Sequence, residues 1–157
     1  MKRRDHAGVF VPPPLLFLIP MLTAAMLHSR RPWAISDGSA TALSFAGFAA
    51  IAVGIAIGLA SVDRFRKANT TILPAGRPTT AIVERGPYRF TRNPMYVAMA
   101  CAYVGVWLLL NNMWALIPLP IVLAIVDRSV IRREEQYLAA KFGDPYRAYC
   151  ARVRRWL

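Results

Sequence analysis

The stretch Glu84-Arg-Gly-Pro-Tyr-Arg-Phe-Thr-Arg-Asn-Pro-Met-Tyr96 leads into 34 residues, Asn93 to Val126, without one charged side chain, and Glu134-Glu135 follows soon after that run ends. Polar chemistry is thus pinned to both ends of an apolar insert. One continuous helix across the insert would be about 51 Å long at ~1.5 Å per residue, too long for a single crossing of a hydrocarbon layer of about 30 Å. Asn111-Asn112 supplies a break, so the insert reads as a hairpin that returns its two polar ends to one side.

Asn93-Pro94 has the form of a helix start, with Asn as N-cap and Pro at the first helical position. The limbs of the hairpin are expected at about 94–110 and 113–131, the second bent by Pro118 and Pro120. Upstream, residues 38–62 carry no charge and are long enough to cross, which gives a span at about 41–62. Ala42, Ala46, Ala50, Gly54 and Gly58 recur every fourth residue there, a small-residue stripe suited to close helix packing, within the chain or in a dimer. A first span is expected at about 12–28, entered through Pro12-Pro13-Pro14, kinked at Pro20 and closed by Arg30-Arg31-Pro32-Trp33. Lys2-Arg3-Arg4 before it mimics a signal peptide but suits a retained anchor better.

The composition agrees with a bilayer as solvent. Of 157 residues 56% are hydrophobic, the mean hydropathy is +0.36 and the net charge is +12. Basic clusters separated by span-length apolar runs face lipid headgroups rather than nucleic acid. Of the 20 Lys and Arg, 15 lie in residues 63–92 and 128–157, which a four-span chain places on one side. By the positive-inside rule that side is the cytosol, with both termini there. Cys101 and Cys150 form no disulfide or metal pattern, and His6 and His28 stand alone, so neither zinc site nor catalytic triad is expected. The fold class is therefore all-α: one polytopic membrane domain over residues 1–157, about four transmembrane helices, a helical hairpin and a cytosolic C-terminal helical segment.

The loop of residues 68–92, with Pro74, Gly76, Pro78, Gly86 and Pro87, is long enough in so small a chain to suggest function. Beyond the hairpin, Phe142-Gly143 reads as a helix stop and Asp144-Pro145 as the cap and first turn of a last helix. Tyr146, Tyr149, Val153 and Trp156 would form its apolar face, opposite Arg147, Arg152, Arg154 and Arg155. Tyr88, Arg89, Arg92, Asn93 and Tyr96 surround the start of the third span, where free N–H groups and guanidinium forks attract an anion. Tyrosine ring faces can hold a sulfonium or ammonium, and Glu134 and Glu135 can accept from ribose hydroxyls or an amino group. S-adenosylmethionine carries that set of groups. The plainer reading is lipid-phosphate anchoring by the arginines and a surface pair of Arg132 with Glu135.

Gly86-Pro-Tyr-Arg-Phe-Thr-Arg-Asn-Pro-Met-Tyr96, Glu134-Glu135-Gln-Tyr-Leu-Ala-Ala-Lys-Phe-Gly-Asp-Pro-Tyr-Arg-Ala-Tyr149 and Val153-Arg-Arg-Trp156 resemble the isoprenylcysteine carboxyl methyltransferase and phospholipid methyltransferase superfamily of integral-membrane enzymes. The resemblance covers roughly residues 79–157. It implies cytosolic binding of S-adenosylmethionine by segments 79–96 and 132–157. Tyr88, Arg92, Asn93, Pro94 and Tyr96 would line the pocket, Ile82, Val83 and Gly86 would give backbone contacts, and Glu134 and Glu135 would close it. Arg92 and Glu135 are the implied catalytic pair, and the acceptor is a lipid or hydrophobic small molecule entering from the bilayer. Two departures stand out. Asn93 occupies a place where relatives often have His and cannot act as a base, and Thr80-Ala81-Ile82-Val83 keeps only the apolar part of a segment typical of prenylcysteine enzymes, which weighs against that substrate. Rival readings are a membrane NADPH-dependent reductase of sterol-reductase-like architecture and a non-enzymatic lipid-binding scaffold.

Overall fold

The computed structural model describes residues 12–38, 40–70 and 79–157. Lys2-Arg3-Arg4 and His6, and the loop positions Pro74, Gly76 and Pro78, lie outside the described residues. The described residues are helical without strands: α1 (Pro13–Arg30), α2 (Ala40–Lys67), α3 (Pro94–Leu109), α4 (Pro118–Ile125), α5 (Arg132–Phe142) and α6 (Asp144–Arg152). Single 3-10 turns stand at Gly86–Arg89 and Met113–Ala115, and a π-helical segment, Val126–Ile131, joins α4 to α5.

Among the described residues two helices are long and apolar enough to cross a membrane, α2 and the continuous helical run Met113–Phe142, and α3 is apolar but shorter. By that measure two spans stand where about four were expected. The uncharged part of the last run ends at Val126, so α5 lies beyond the apolar stretch. Phe45, Phe48 and Leu59 of α2 are 74%, 64% and 67% exposed, an outward apolar face that suits lipid and not water.

α2 and α3 make the principal helix pair, and glycines set their separation. A Cβ added to Gly105 would lie 2.6 Å from the Gly47 carbonyl oxygen, and one added to Gly54 would lie 2.8 Å from that of Ala98. The seam therefore runs through Gly47, Ile51, Gly54, Gly58 and Ser61. The expected stripe is corrected here, because Ala42 and Ala46 face outward. Each four-residue step overshoots a full turn by roughly 40°, so a strict every-fourth row winds off the contact, whereas alternating steps of four and three stay on it.

The hairpin turns where the uncharged run was expected to break. Asn111 takes up φ +45°, a left-handed conformation that Asn tolerates. Its Oδ1 accepts from the N–H groups of Ile35 and Ser36 at 2.9 and 3.1 Å, and its Nδ2 donates to Ser36 O. Asn112, fully buried, donates from Nδ2 to the Ala24 carbonyl of α1 at 3.0 Å and accepts from the Trp114 N–H. The pair thus satisfies the polar backbone of the turn and fixes α1 and the loop after it against the hairpin. Tyr103 donates across the hairpin to Ala115 O at 2.8 Å with Phe17 of α1 against its ring edge. Pro118 is the first residue of α4, and Pro120 lies within its first turn.

Because the Gly105 Cβ position is blocked by backbone on α2, Gly105→Leu is expected to lower the thermal midpoint of the purified protein in detergent, by a loss of about 3 kcal/mol or more. Ala42→Leu, on the outward face, is expected to fall within about 0.5 kcal/mol of the parent in the same measurement.

Candidate functional site

The two polar segments meet beside the start of α3. Glu135 of α5 forms an ion pair with Arg92 Nη2 at 3.3 Å, and both side chains are mostly buried. From the other side Arg155 grips the same carboxylate with a fork, Nε to Oε1 at 3.1 Å and Nη2 to Oε2 at 2.6 Å. The expected surface pair of Arg132 with Glu135 is corrected: Arg132 pairs with Asp127 at 3.3 Å. Asp127 also accepts from Trp156 Nε1 at 3.2 Å and Arg155 Nη1 at 3.4 Å.

That arrangement depends on the π-helical segment. In an α-helix, eight residues advance roughly 800°, which would set Asp127 and Glu135 about 80° apart around the axis. One residue taken up in a π turn leaves the equivalent of seven steps, within about 20° of two full turns. Asp127 and Glu135 thereby share a face, and one guanidinium reaches both. The contact of Asp127 with Arg132 has the five-residue spacing of the π repeat.

The chain beyond α6 is the second unexpected element. The helix ends at Arg152, and Val153 is extended at φ −122° and ψ 132°, so Val153 and Trp156 do not continue the aromatic face of α6 as the spacing had suggested. The tail crosses back over the start of α3 instead. Arg92 N donates to Arg154 O at 2.9 Å, and the Arg155 carbonyl accepts from Thr91 Oγ1 at 3.0 Å and Asn93 Nδ2 at 2.9 Å. Asn93 stands at the N-cap position, but its side chain caps nothing in α3. It holds the tail.

Glu134 differs from its neighbour. Its oxygens accept one phenol, Tyr96 OH, at 3.0 and 3.2 Å. Burial pushes the Glu134 carboxyl up to about 7, against the Tyr96 hydrogen bond, which lowers it, and with a smaller upward push from the charge of Glu135. Tyr88 is buried below, its ring edge-on to Phe65 and its carbonyl accepting from Tyr149 OH at 2.9 Å. Burial first, then the charges of Tyr149 and Glu134, raise the Tyr88 phenol, and it stays protonated. Gly86 has φ +67°, and a Cβ there would meet Arg64 Nε at 3.0 Å, which explains glycine at that corner. Pro94 is fully buried at the first position of α3, and Ile82 and Val83 lie partly buried in the irregular chain before Gly86.

Arg92, Tyr96, Glu134 and Glu135 are thus brought into one cluster, with Asn93 and Pro94 forming its wall and Tyr88 beneath. Sequence reading placed Thr91, Arg155 and Trp156 within the implied cofactor-binding segments without giving them a role there, and missed Asp127. Asp127, the first charge after the apolar run, was the available signal. Beside the cluster, an open cavity of about 520 Å³ between α5 and α6 is lined by Glu135, Tyr146 and Arg155 among others.

The phospholipid methyltransferase family model matches residues 43–145, from the first turn of α2 to the start of α6. The chain belongs to the phospholipid methyltransferase family. This is a family of membrane methyltransferases, and the matched region holds Arg92, Tyr96, Asp127, Glu134 and Glu135, leaving the Arg155 tail outside. An uncharacterized protein of Haemophilus influenzae is 40% identical over 63 residues, which is 40% of this chain and the whole of that relative. A protein of Cupriavidus metallidurans described as cobalt-zinc-cadmium resistance protein CzcN is 28% identical over 90 residues, 57% of this chain and 40% of that relative's length. No solved structure matches the chain.

A carboxyl whose folded pKa lies above its ordinary value stabilises the fold in acid and ceases to do so as pH rises through the folded value. Glu134 is raised from 4.5 to about 7, so its window is pH 4.5 to 7. Glu134→Gln is therefore expected to match the parent in thermal midpoint near pH 5 and to exceed it near pH 8, by on the order of 2 kcal/mol. A gap that stays constant across that range would show that Glu134 does not titrate there.

Proposed function

We propose that this chain is an S-adenosylmethionine-dependent methyltransferase acting on a lipid-embedded or small hydrophobic acceptor, with its cofactor site on the cytosolic side of a multi-pass membrane protein. The observation that carries the reading is the meeting of Arg92 and Tyr96 with Glu134 and Glu135, two segments separated by the apolar hairpin. The donor set fits the cofactor. Arg92 Nε is a buried donor without a hydrogen-bond partner among the described residues, an unmet bond that an acid group of the cofactor would satisfy. Glu134 is met by a phenol and no cation in the described contacts, so it can accept from an amino group or a ribose hydroxyl. The Tyr88 and Tyr96 rings offer faces for a sulfonium.

When bound, the cofactor supplies an electrophilic methyl group on sulfur. The residues then have to align an acceptor and exclude water more than move protons, because positive charge disappears as the methyl is transferred. Arg92 orients an acid group through its unpartnered Nε–H. Glu135, held by two guanidinium groups, fixes Arg92 rather than offering itself to a ligand. Tyr96 is anchored by Glu134, which fixes its buried ring beside the cluster. Where the acceptor must lose a proton, Glu134 is the available base, with a pKa matched to neutral solution.

Ligand-induced thermal shift separates the readings. Stabilisation by S-adenosylmethionine and S-adenosylhomocysteine but not NADPH is expected; a response to NADPH alone would mark a reductase, and no response to any of the three a lipid-binding scaffold. Arg92→Ala is expected to reduce labelled-methyl transfer into a lipid extract by about 100-fold or more. Transfer at the parent rate would remove Arg92 from the site.

A further inference from the structure

We propose that Arg155 is a positioning residue of this centre: with its carbonyl tied to Thr91 and Asn93 and its guanidinium to Glu135 and Asp127, it sets Arg92 for the ligand. The inference rests on the methyltransferase reading and adds a residue outside the family match.

The geometry makes Arg155 a two-ended tie. Its main chain lies on the loop before α3, where Thr91 Oγ1 and Asn93 Nδ2 both donate to its carbonyl and Arg92 N donates to the preceding one. Its side chain lies on α5 and the π segment, with a two-point fork on Glu135 and a third N–H toward Asp127. Arg92 stands between these two ends, its backbone fixed by the tail and its guanidinium by Glu135. One turn of the chain thus fixes both the root and the tip of Arg92.

A simple surface ion pair would look different. Glu135 is 16% exposed at the side chain, Arg92 14% and Asp127 19%, with Arg155 reaching in from the rim at 33%, so its partners are partly withdrawn from water and geometry as well as charge decides the energy. Two cations converge on Glu135. Remove Arg155 and Glu135 loses its two-point partner, leaving the 3.3 Å ion pair alone to fix its carboxylate and the Arg92 guanidinium against each other. The planar fork matters as well as the charge, since a lysine ammonium cannot bond both carboxylate oxygens in parallel while reaching Asp127.

The test uses the full chain in detergent or nanodiscs, with S-adenosylhomocysteine as the binding probe and initial rates of methyl transfer as the second readout. Arg155→Ala is expected to weaken binding by about 10- to 100-fold, as loss of an outer partner does at other preorganised sites, chiefly through KM for the cofactor rather than kcat. Guanidinium ion at millimolar concentration is expected to restore part of that binding in Arg155→Ala, and none in the double variant that also carries Glu135→Gln. Arg155→Lys is expected to stay at least several-fold weaker than the parent, so it carries the test if Arg155→Ala does not fold.

Parent-like binding in Arg155→Ala or in Arg155→Lys overturns the proposal. So does a loss of binding that follows the thermal midpoint downward and is not relieved by guanidinium, which would make the tail a structural tether only. If the parent protein itself binds no S-adenosylhomocysteine, the methyltransferase reading falls first and the proposal with it.

Discussion

One carboxylate shared by two guanidinium groups holds this end of the molecule together. Glu135 lies on α5, Arg92 at the start of α3 and Arg155 in the tail, and no two of these are neighbours along the chain. In a setting largely removed from water, each charge is tolerated only while its partners stay in place, and removal of one strands the others. Asp127 balances the second cation, and Arg132 and Trp156 complete its contacts. The cluster therefore behaves as a single polar unit at the edge of an apolar body.

That unit can form only if the apolar body returns α5 to the level of Arg92 in the correct rotation. Three features secure this. The glycine seam brings α2 and α3 to backbone contact, which fixes the tilt of α3 and the position of its first turn. The buried Asn112 ties the hairpin turn to α1, so the second limb starts from a fixed point. The π segment then adds the rotation that brings Asp127 and Glu135 to one face. A π turn is a strained choice for a helix, and its use next to a charge cluster fits the habit of such insertions to occur at functional places.

Much of this was legible in the residues. The uncharged run and its Asn-Asn break gave the hairpin, because a helix through all of it exceeds any membrane thickness. Gly143 as a helix stop was legible too, since at φ +62° and ψ −130° only glycine is comfortable. Other features were not. Asn93 looked like a cap because its type and place suit one, yet the hydrogen bond that its Nδ2 donates to the Arg155 carbonyl orients the amide, and its Oδ1 accepts from no N–H of α3. Trp156 and Arg155 fell on opposite faces of a continued helix, but Val153 leaves the helical region and the 3.6-residue pattern loses its meaning there. Nothing in composition announces a π turn. The pairing of Asp127 with Arg155 spans 28 positions and depends on that turn, so it lay beyond any local pattern.

The adjacent glutamates show how one helix divides labour between identical side chains. Successive residues project about 100° apart, so Glu134 and Glu135 face different surroundings although they are neighbours in sequence. Glu135 turns toward the tail and receives two cations; Glu134 turns toward α3 and receives a phenol. A carboxylate held by two guanidiniums is committed to structure, and its remaining capacity to bind a ligand is small. Glu134, met by a phenol in the described contacts and partly buried, has its carboxyl pushed up to about 7 by burial, so both protonation states are in reach near neutrality. The pair that sequence reading treats as one element thus has two surroundings: Glu135 is taken up by two guanidiniums, and Glu134 by a phenol.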